Sequence, residues 1–222
     1  MTIFLLLRHA HSTANDAGIL AGRTEGIHLS TKGIQQSKGL PKALQEFSIN
    51  RFISSPLTRC IQTIQPTLEQ RHKRLVLNDS FIEMDYGAWS GRELKKLRKE
   101  KVWTQIQRNP ISFTFPQGES FATTAKRIER GLQKLSKLYP KETILIVTHG
   151  DIIKLATQIT LGGDLNKFQR LIVDTCSLTV LDWNKNERSL QHFNQKLVKI
   201  KKSGTHKLGM KSRRVLGGGS GV

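Results

Sequence analysis

Runs of large apolar residues alternate with amphipathic segments along most of the chain. Residues 3–7 and 143–147 are apolar almost throughout rather than at every second position, which is typical of strands buried on both faces of a parallel sheet. Shorter runs predict further strands at 51–54, 74–77, 171–173, 178–183 and 190–193. The last two are separated only by a short polar stretch around 184–186, so we expect them to add an antiparallel edge to the sheet.

The segments between these runs carry helical signals. Ser30 is a suitable N-cap for a helix over residues 32–47, which Pro41 should shorten or kink. Ser55 and Pro56 are expected to open a second helix with Arg59 in its first turns. Helical patterns also predict short basic helices over 91–101 and around 103, a long amphipathic helix to about 139 and a helix over 151–161. Strands that alternate with helices predict an α/β fold, here a three-layer α/β/α sandwich with a mostly parallel sheet.

Length and composition favour a single domain over residues 1–195. The chain has 222 residues, of which 37% are hydrophobic, enough for an ordinary buried core. No apolar stretch approaches the roughly 18–20 residues that a membrane span needs, and the start does not resemble a signal peptide, so we expect a cytoplasmic protein. Cys60 and Cys176 are too few for a disulfide scaffold and are expected to be small core residues. The sequence carries no signal for an oligomeric state.

The charge balance is strongly basic, at a formal +19. Residues 196–222 contain eight Lys or Arg, no Asp or Glu, and few large apolar side chains. Such a segment cannot bury enough surface to offset its ordering entropy, so we expect a disordered C-terminal tail. Two interpretations stay open: a solvated tail without a specific function, or weak, non-specific binding of polyanions.

Basic or ionisable residues follow closely after the two most apolar runs. Arg8 and His9 follow the first run, and His149 and Gly150 follow the later one, while Arg59 lies beyond the run at 51–54. Ligands of open α/β sheets bind beyond the carboxyl ends of the strands, and guanidinium groups match phosphate oxygens in geometry and charge. These residues therefore predict a phosphate site at one edge of the sheet.

The same residues indicate a chemistry for that site. Neighbouring arginines lower the pKa of a histidine, which keeps one ring nitrogen free to attack phosphorus. His9 is the better nucleophile because it directly follows a rigid strand, while His149 and the N–H group of Gly150 at a helix start would contact the transferred group. A carboxyl in the irregular segment after residue 77, either Glu83 or Asp85, would protonate the leaving alkoxide and later activate water.

The motifs resemble those of the histidine phosphatase superfamily, in its phosphoglycerate mutase-like branch. The similarity covers about residues 1–183 and rests on segments 8–15, 29–33, 54–59, 83–91, 116–120 and 147–150. The opening segment, Arg-His-Ala-His-Ser-Thr-Ala-Asn, has Ala10 and His11 where the family commonly has Gly and Glu. These departures remove no phosphate ligand and bear on substrate preference.

The resemblance implies a role for each matching residue. His9 would become phosphorylated, and Glu83 would donate the proton. The phosphoryl group would be held by Arg8, Arg59 and His149, and the substrate would be contacted by Asn15 and the Ala21-Gly22 turn. The expected reaction is metal-independent hydrolysis of a small phosphate ester, of the histidine acid phosphatase type, without a cofactor.

Three other functions stay open at this point. A phosphoglycerate mutase would transfer the phosphoryl group rather than hydrolyse it, but family mutases have a longer cap and Glu-Arg-His-Tyr-Gly where this chain has Glu-Met-Asp-Tyr-Gly. A metal hydrolase could use His9, His11, His149 and Asp151 as ligands, although Arg8 and Arg59 would repel a cation. A non-catalytic binding protein is suggested only by the net charge.

Overall fold

A six-stranded mixed sheet forms the centre of the computed structural model, which describes residues 1–184 and 186–198. Its strands are β1 (Thr2–Arg8), β2 (Arg51–Ser54), β3 (Leu75–Leu77), β4 (Thr143–Thr148), β5 (Ser177–Trp183) and β6 (Arg188–Lys196). They lie in the order β3-β2-β4-β1-β5-β6. The first four strands are mutually parallel. Strand β5 is antiparallel to β1, and β6 is antiparallel to β5, which confirms the predicted antiparallel edge.

Seven α-helices are found among the described residues: α1 (Thr13–Ala17), α2 (Thr31–Ala43), α3 (Thr58–Arg71), α4 (Leu94–Leu97), α5 (Trp103–Arg108), α6 (Phe121–Leu138) and α7 (Gly150–Thr160). Short 3-10 turns occupy Asp79–Phe81, Gly87–Trp89, Pro110–Ser112 and Leu165–Arg170. In this part of the chain no helix is both long and apolar enough to cross a bilayer.

Helices cover both faces of the sheet. In β1, Phe4 and Leu6 pack into one apolar cluster with the inner faces of α6 and α7, whereas Leu5 and Leu7 pack into another with α2 and α3. Successive side chains of a strand point to opposite faces, so an uninterrupted apolar run is what a sheet with two covered faces requires. The three-layer α/β/α architecture is confirmed. Cys60 and Cys176 are buried and free.

Three local predictions can be compared with the structure, and two of them were wrong. Residues 171–173 form no strand; Val173 is buried in a loop. Helix α2 has the predicted N-cap, Ser30, and ends at Ala43 rather than 47, which agrees with the shortening expected from Pro41. Helix α3 begins at Thr58 rather than at the predicted Pro56, because Leu57 is extended and forms its N-cap.

The C-terminal end of the described chain packs on the domain. Strand β6 runs to Lys196, and Leu197 and Val198 are half-buried against the cluster beneath α2. From residue 199 onward, the predicted basic tail lies outside the described residues.

The register brings three strand ends to one edge of the sheet. Arg8 is paired with Thr148, and Ser54 is paired with Val147. The N–H group of His9 donates to the carbonyl of Thr148 at 2.9 Å. The residues that follow β1, β2 and β4 therefore emerge side by side.

Candidate active site

His9 directly follows β1, and one of its ring nitrogens is hydrogen-bonded to the main chain. Its Nδ1 lies 2.8 Å from the carbonyl oxygen of Ala10, and because a carbonyl only accepts, Nδ1 must carry the proton. The unprotonated atom of the neutral ring is then Nε2. Burial, followed by the charges of Arg59 and Arg8, holds the pKa of His9 well below its usual range. The ring is thus neutral at working pH, with a free lone pair.

Two buried guanidinium groups accompany His9. Arg8 and Arg59 are each 1% exposed. Arg8 donates from NH1 to the carbonyl of Val173 at 2.6 Å, and Arg59 donates from NH2 to the carbonyl of Gly22 at 2.8 Å. The Nε atom of Arg59 is buried and hydrogen-bonds no described residue. A buried donor of this kind is normally satisfied by some acceptor, which an anion at this edge would provide.

His149 lies opposite His9, at the N-cap of α7. The two ring centroids are 5.3 Å apart. His149 Nδ1 is 3.3 Å from Arg59 NH2, which can only donate, so Nδ1 accepts; Nε2 then carries the proton and donates to Ser55 Oγ at 2.7 Å. Burial and the charge of Arg59 keep the pKa of His149 well below its usual range. Gly150, the first residue of α7, is buried beside it.

Glu83 brings a buried carboxyl to the same place. Its Oε2 lies 3.8 Å from His149 Nδ1, its Oε1 accepts from the N–H group of Met84 at 3.0 Å, and the residue is 4% exposed. Burial, and then the negative charge of Asp151, raises the pKa of Glu83 to about 7, against the opposing charges of Arg59 and Arg8. The carboxyl can therefore hold a proton near neutral pH.

Asp85, the alternative acid in the sequence, is used differently. Its Oδ1 accepts from the N–H group of Gly87 at 2.9 Å, and its Oδ2 lies 3.8 Å from Arg23 NH1. The side chain is 36% exposed. It is engaged in the turn and in an ion pair rather than beside a histidine.

Of the residues expected to contact the substrate, Gly22 is hydrogen-bonded to a residue of the site, whereas the described contacts of Asn15 are with a helix cap. The carbonyl of Gly22 is hydrogen-bonded to Arg59, and the residue has a φ of +52° in a turn with half-buried Ala21. Asn15 is half-buried, and its Oδ1 accepts from the N–H group and hydroxyl of Ser12, which caps α1. In the fold, Asn15 thus helps to form the start of α1.

Of the four residues considered as metal ligands, His9 and His149 face each other, whereas His11 and Asp151 are engaged elsewhere. His11 Nδ1 is 3.0 Å from Ser30 Oγ and 3.5 Å from Asp16. Asp151 accepts from the hydroxyl of Tyr86 at 2.8 Å and pairs with Lys154 at 3.2 Å. Within residues 1–184 and 186–198 no three His, Cys, Asp or Glu side chains are grouped so as to hold a metal ion.

Sequence reasoning missed a buried polar network behind the site. Tyr86, Asp151 and Lys154 are all fully buried, and Lys154 Nζ also lies 3.3 Å from Gln169 Oε1. A lysine on a helix normally indicates a solvated face. The only signal was the spacing of Asp151 and Lys154, three residues apart on a helix that is otherwise apolar.

Comparison with known proteins shows which family the chain resembles and which solved structures share its fold. The model of the histidine phosphatase superfamily (branch 1) matches residues 4–196. The chain is 27% identical to phosphoserine phosphatase 1 of Hydrogenobacter thermophilus, over 87% of this chain and 92% of that protein. It is 29% identical to an uncharacterised phosphatase of Bacillus subtilis, over 87% and 95% of the two chains. The crystal structure of the α-ribazole phosphatase of Shigella flexneri superposes with a TM-score of 0.77 at 25% identity, covering 90% of this chain and all (100%) of that one.

Proposed function

We propose, from the premise that the chain belongs to the histidine phosphatase superfamily, that it hydrolyses a small-molecule phosphomonoester through a phosphohistidine on His9. The observation that carries the proposal is the hydrogen bond from His9 Nδ1 to the carbonyl of Ala10. It fixes the tautomer in which Nε2 has a lone pair, beside two buried arginines. The phosphatase names of the two relatives favour hydrolysis over mutase-type transfer.

In the first step, Arg8, Arg59 and His149 hold the phosphoryl group while His9 Nε2 attacks phosphorus. The buried Nε of Arg59 is a donor available to a phosphoryl oxygen. A dianion beside His149 favours its protonated form, so its ring can change from acceptor to donor as substrate binds. The N–H group of Gly150 at the start of α7 adds a further donor.

As the ester bond breaks, Glu83 gives its proton to the leaving oxygen. A carboxyl with a pKa of about 7 is a suitable general acid near neutral pH. The products of this step are the free alcohol, ionised Glu83 and a phosphoryl group on His9.

In the second step, ionised Glu83 takes a proton from water, and the resulting hydroxide attacks the phosphohistidine. The N–P bond breaks, inorganic phosphate leaves, and His9 and Glu83 return to their starting protonation states.

Positive charge in this mechanism comes from side chains, so we propose that activity is independent of metal ions. The test is phosphate release from a panel of phosphomonoesters in excess EDTA, with His9→Ala as the inactive control. We expect unchanged turnover by the wild-type protein. Activity that EDTA abolishes and that zinc or magnesium restores would contradict the mechanism.

A further inference from the structure

A cluster of three charged side chains lies outside the ring of residues around His9. Glu119, just before α6, accepts a two-pronged pair of hydrogen bonds from Arg127 of α6: Nε to Oε1 at 3.2 Å and NH2 to Oε2 at 3.0 Å. Its Oε2 is also 3.0 Å from NH2 of Arg23. The side chains are 18%, 19% and 32% exposed for Glu119, Arg127 and Arg23. The cluster is therefore mostly removed from water, where such pairs hold their geometry well.

The third guanidinium nitrogen of Arg127, NH1, contacts the segment that precedes Glu83. This atom lies 3.0–3.1 Å from three main-chain carbonyl oxygens, those of Asp79, Ser80 and Ile82. After the short 3-10 turn at Asp79–Phe81 this segment is irregular as far as the turn at Gly87–Trp89. Within the turn, the carbonyl of Asp79 also accepts from the N–H group of Ile82 at 3.2 Å, so the guanidinium adds to a main-chain contact there and supplies a donor to the carbonyls of Ser80 and Ile82.

The other two members bond to the main chain at and after Glu83. Arg23 donates from Nε to the carbonyl oxygen of Glu83 at 2.9 Å. Glu119 Oε2 accepts from the N–H group of Asp85 at 3.2 Å. Together with the bond from Arg127 to Ile82, the cluster holds the main chain on both sides of the Glu83 side chain.

Arg23 also connects this segment to the substrate side of the site. It follows Gly22, whose carbonyl accepts from Arg59. Burial raises the pKa of Glu119, but the hydrogen bonds and charge of Arg127, the Asp85 N–H group and the charge of Arg23 together lower it below its usual value. Glu119 therefore stays ionised, and the cluster keeps its charges, over the range in which Glu83 titrates.

We propose that Arg23, Glu119 and Arg127 are positioning residues that hold the Glu83 carboxyl at the distance from His149 that protonation of the leaving group requires. The inference rests on the proposed role of Glu83 and deepens it. A shift of about 1 Å in a catalytic group can cost about 100-fold in rate. We call these three residues the clamp. Its loss should therefore impair proton donation by Glu83 and leave the binding of the phosphoryl group unchanged.

The test compares Arg23→Met and Arg127→Met with Arg130→Met, a control on the exposed side of α6. For each variant, kcat/KM is measured with 2-glycerophosphate, whose leaving group needs a proton, and with p-nitrophenyl phosphate, whose leaving group hardly does. We expect about 10–100-fold loss on the alkyl ester and less than about 3-fold on the aryl ester in both clamp variants. Arg127→Lys should recover part of the loss, and Arg130→Met should match the wild-type protein.

Equal losses on the two esters in both clamp variants, or none, would overturn the proposal. If Arg127→Met does not fold, Arg23→Met decides the question, because Arg23 is the most exposed member and its truncation leaves the pair between Glu119 and Arg127 intact. Glu83→Gln is measured in parallel, so that failure of the clamp hypothesis can be distinguished from failure of the proposal that Glu83 is the general acid. Ester selectivity in Glu83→Gln without it in the clamp variants rejects the clamp alone, whereas no selectivity in Glu83→Gln rejects Glu83 as the acid and the clamp with it.

Discussion

Nδ1 of His149 and Oε2 of Glu83 lie 3.8 Å apart, and both side chains are almost completely buried. The pKa of the histidine is lowered by its surroundings, while that of the carboxyl is raised to about 7. Neighbouring groups whose pKa values are shifted in opposite directions by their environments are typical of acid–base catalysis. Of these two groups, Glu83 is thus the one whose acidic proton is held close to neutral pH.

Replacing Glu83 with glutamine should slow the hydrolysis of alkyl phosphates by roughly 10²–10⁴-fold, the usual contribution of a general acid. An amide keeps the shape of the side chain but has no acidic proton to give. Aryl phosphates, with good leaving groups, should lose much less. The measurement is kcat/KM for both ester types.

Asp85→Asn is the matched control for this substitution, because Asp85 is in the same segment but pairs with Arg23 and the Gly87 amide. A larger or more ester-selective defect in Asp85→Asn than in Glu83→Gln would identify Asp85 as the acid instead.

The pH dependence of the alkyl reaction should follow Glu83. Because the protonated form is the active one, kcat/KM should fall as pH rises through about 7, the pKa raised by burial and by Asp151. The facing groups are Arg8 and Arg59, which oppose the shift, with His9, His149 and Tyr86 beside them. The pKa of His9 is lowered, so its protonation should limit the rate only well below pH 6.5.

Ionisation of the substrate phosphate also occurs near pH 6, and Glu83→Gln provides the correction for it. The fall above neutrality should disappear in that variant. A wild-type profile that stays flat to pH 9, or an unchanged fall in Glu83→Gln, would show that another group controls the rate.

The strand ends could be predicted from the sequence because a sheet covered on both faces needs uninterrupted apolar runs, and the polar residue after each run marks the edge. That reasoning located Arg8, His9 and His149 together. The choice between Glu83 and Asp85 depended on the family resemblance, because an irregular segment has no period that fixes which way a side chain points.

Long-range polar contacts left little trace in the sequence. Arg127 reads as part of the solvated face of an amphipathic helix, yet its guanidinium bonds to carbonyls 45–48 residues away. Val173 reads as part of a short strand, but it is buried by packing of a loop, and its carbonyl bonds to Arg8. Neither contact has a local spacing that would reveal it.

The ion pair between Asp151 and Lys154 should have a measurable effect on stability. Both side chains are fully buried, and truncating Lys154 removes the ammonium group that lies 3.2 Å from the buried Asp151 carboxylate. Lys154→Met should reduce the free energy of unfolding by about 3–5 kcal/mol. Urea denaturation monitored by circular dichroism measures the change.

A double variant, Asp151→Leu with Lys154→Met, separates lost charge pairing from lost packing. We expect it to regain part of the stability that Lys154→Met loses, because no buried charge is left alone. The exposed Lys126→Met on α6 should have little effect. A double variant less stable than the sum of its single changes would contradict a paired interaction between the two residues.

The most direct measurement is the detection of phosphate covalently bound to His9. Protein mixed with a ³²P-labelled phosphomonoester and quenched within milliseconds should carry an alkali-stable, acid-labile label that peptide mapping assigns to His9. His9→Ala should carry no label and should release no phosphate. A label on another residue, or an adduct that still forms in His9→Ala, would contradict the proposed mechanism.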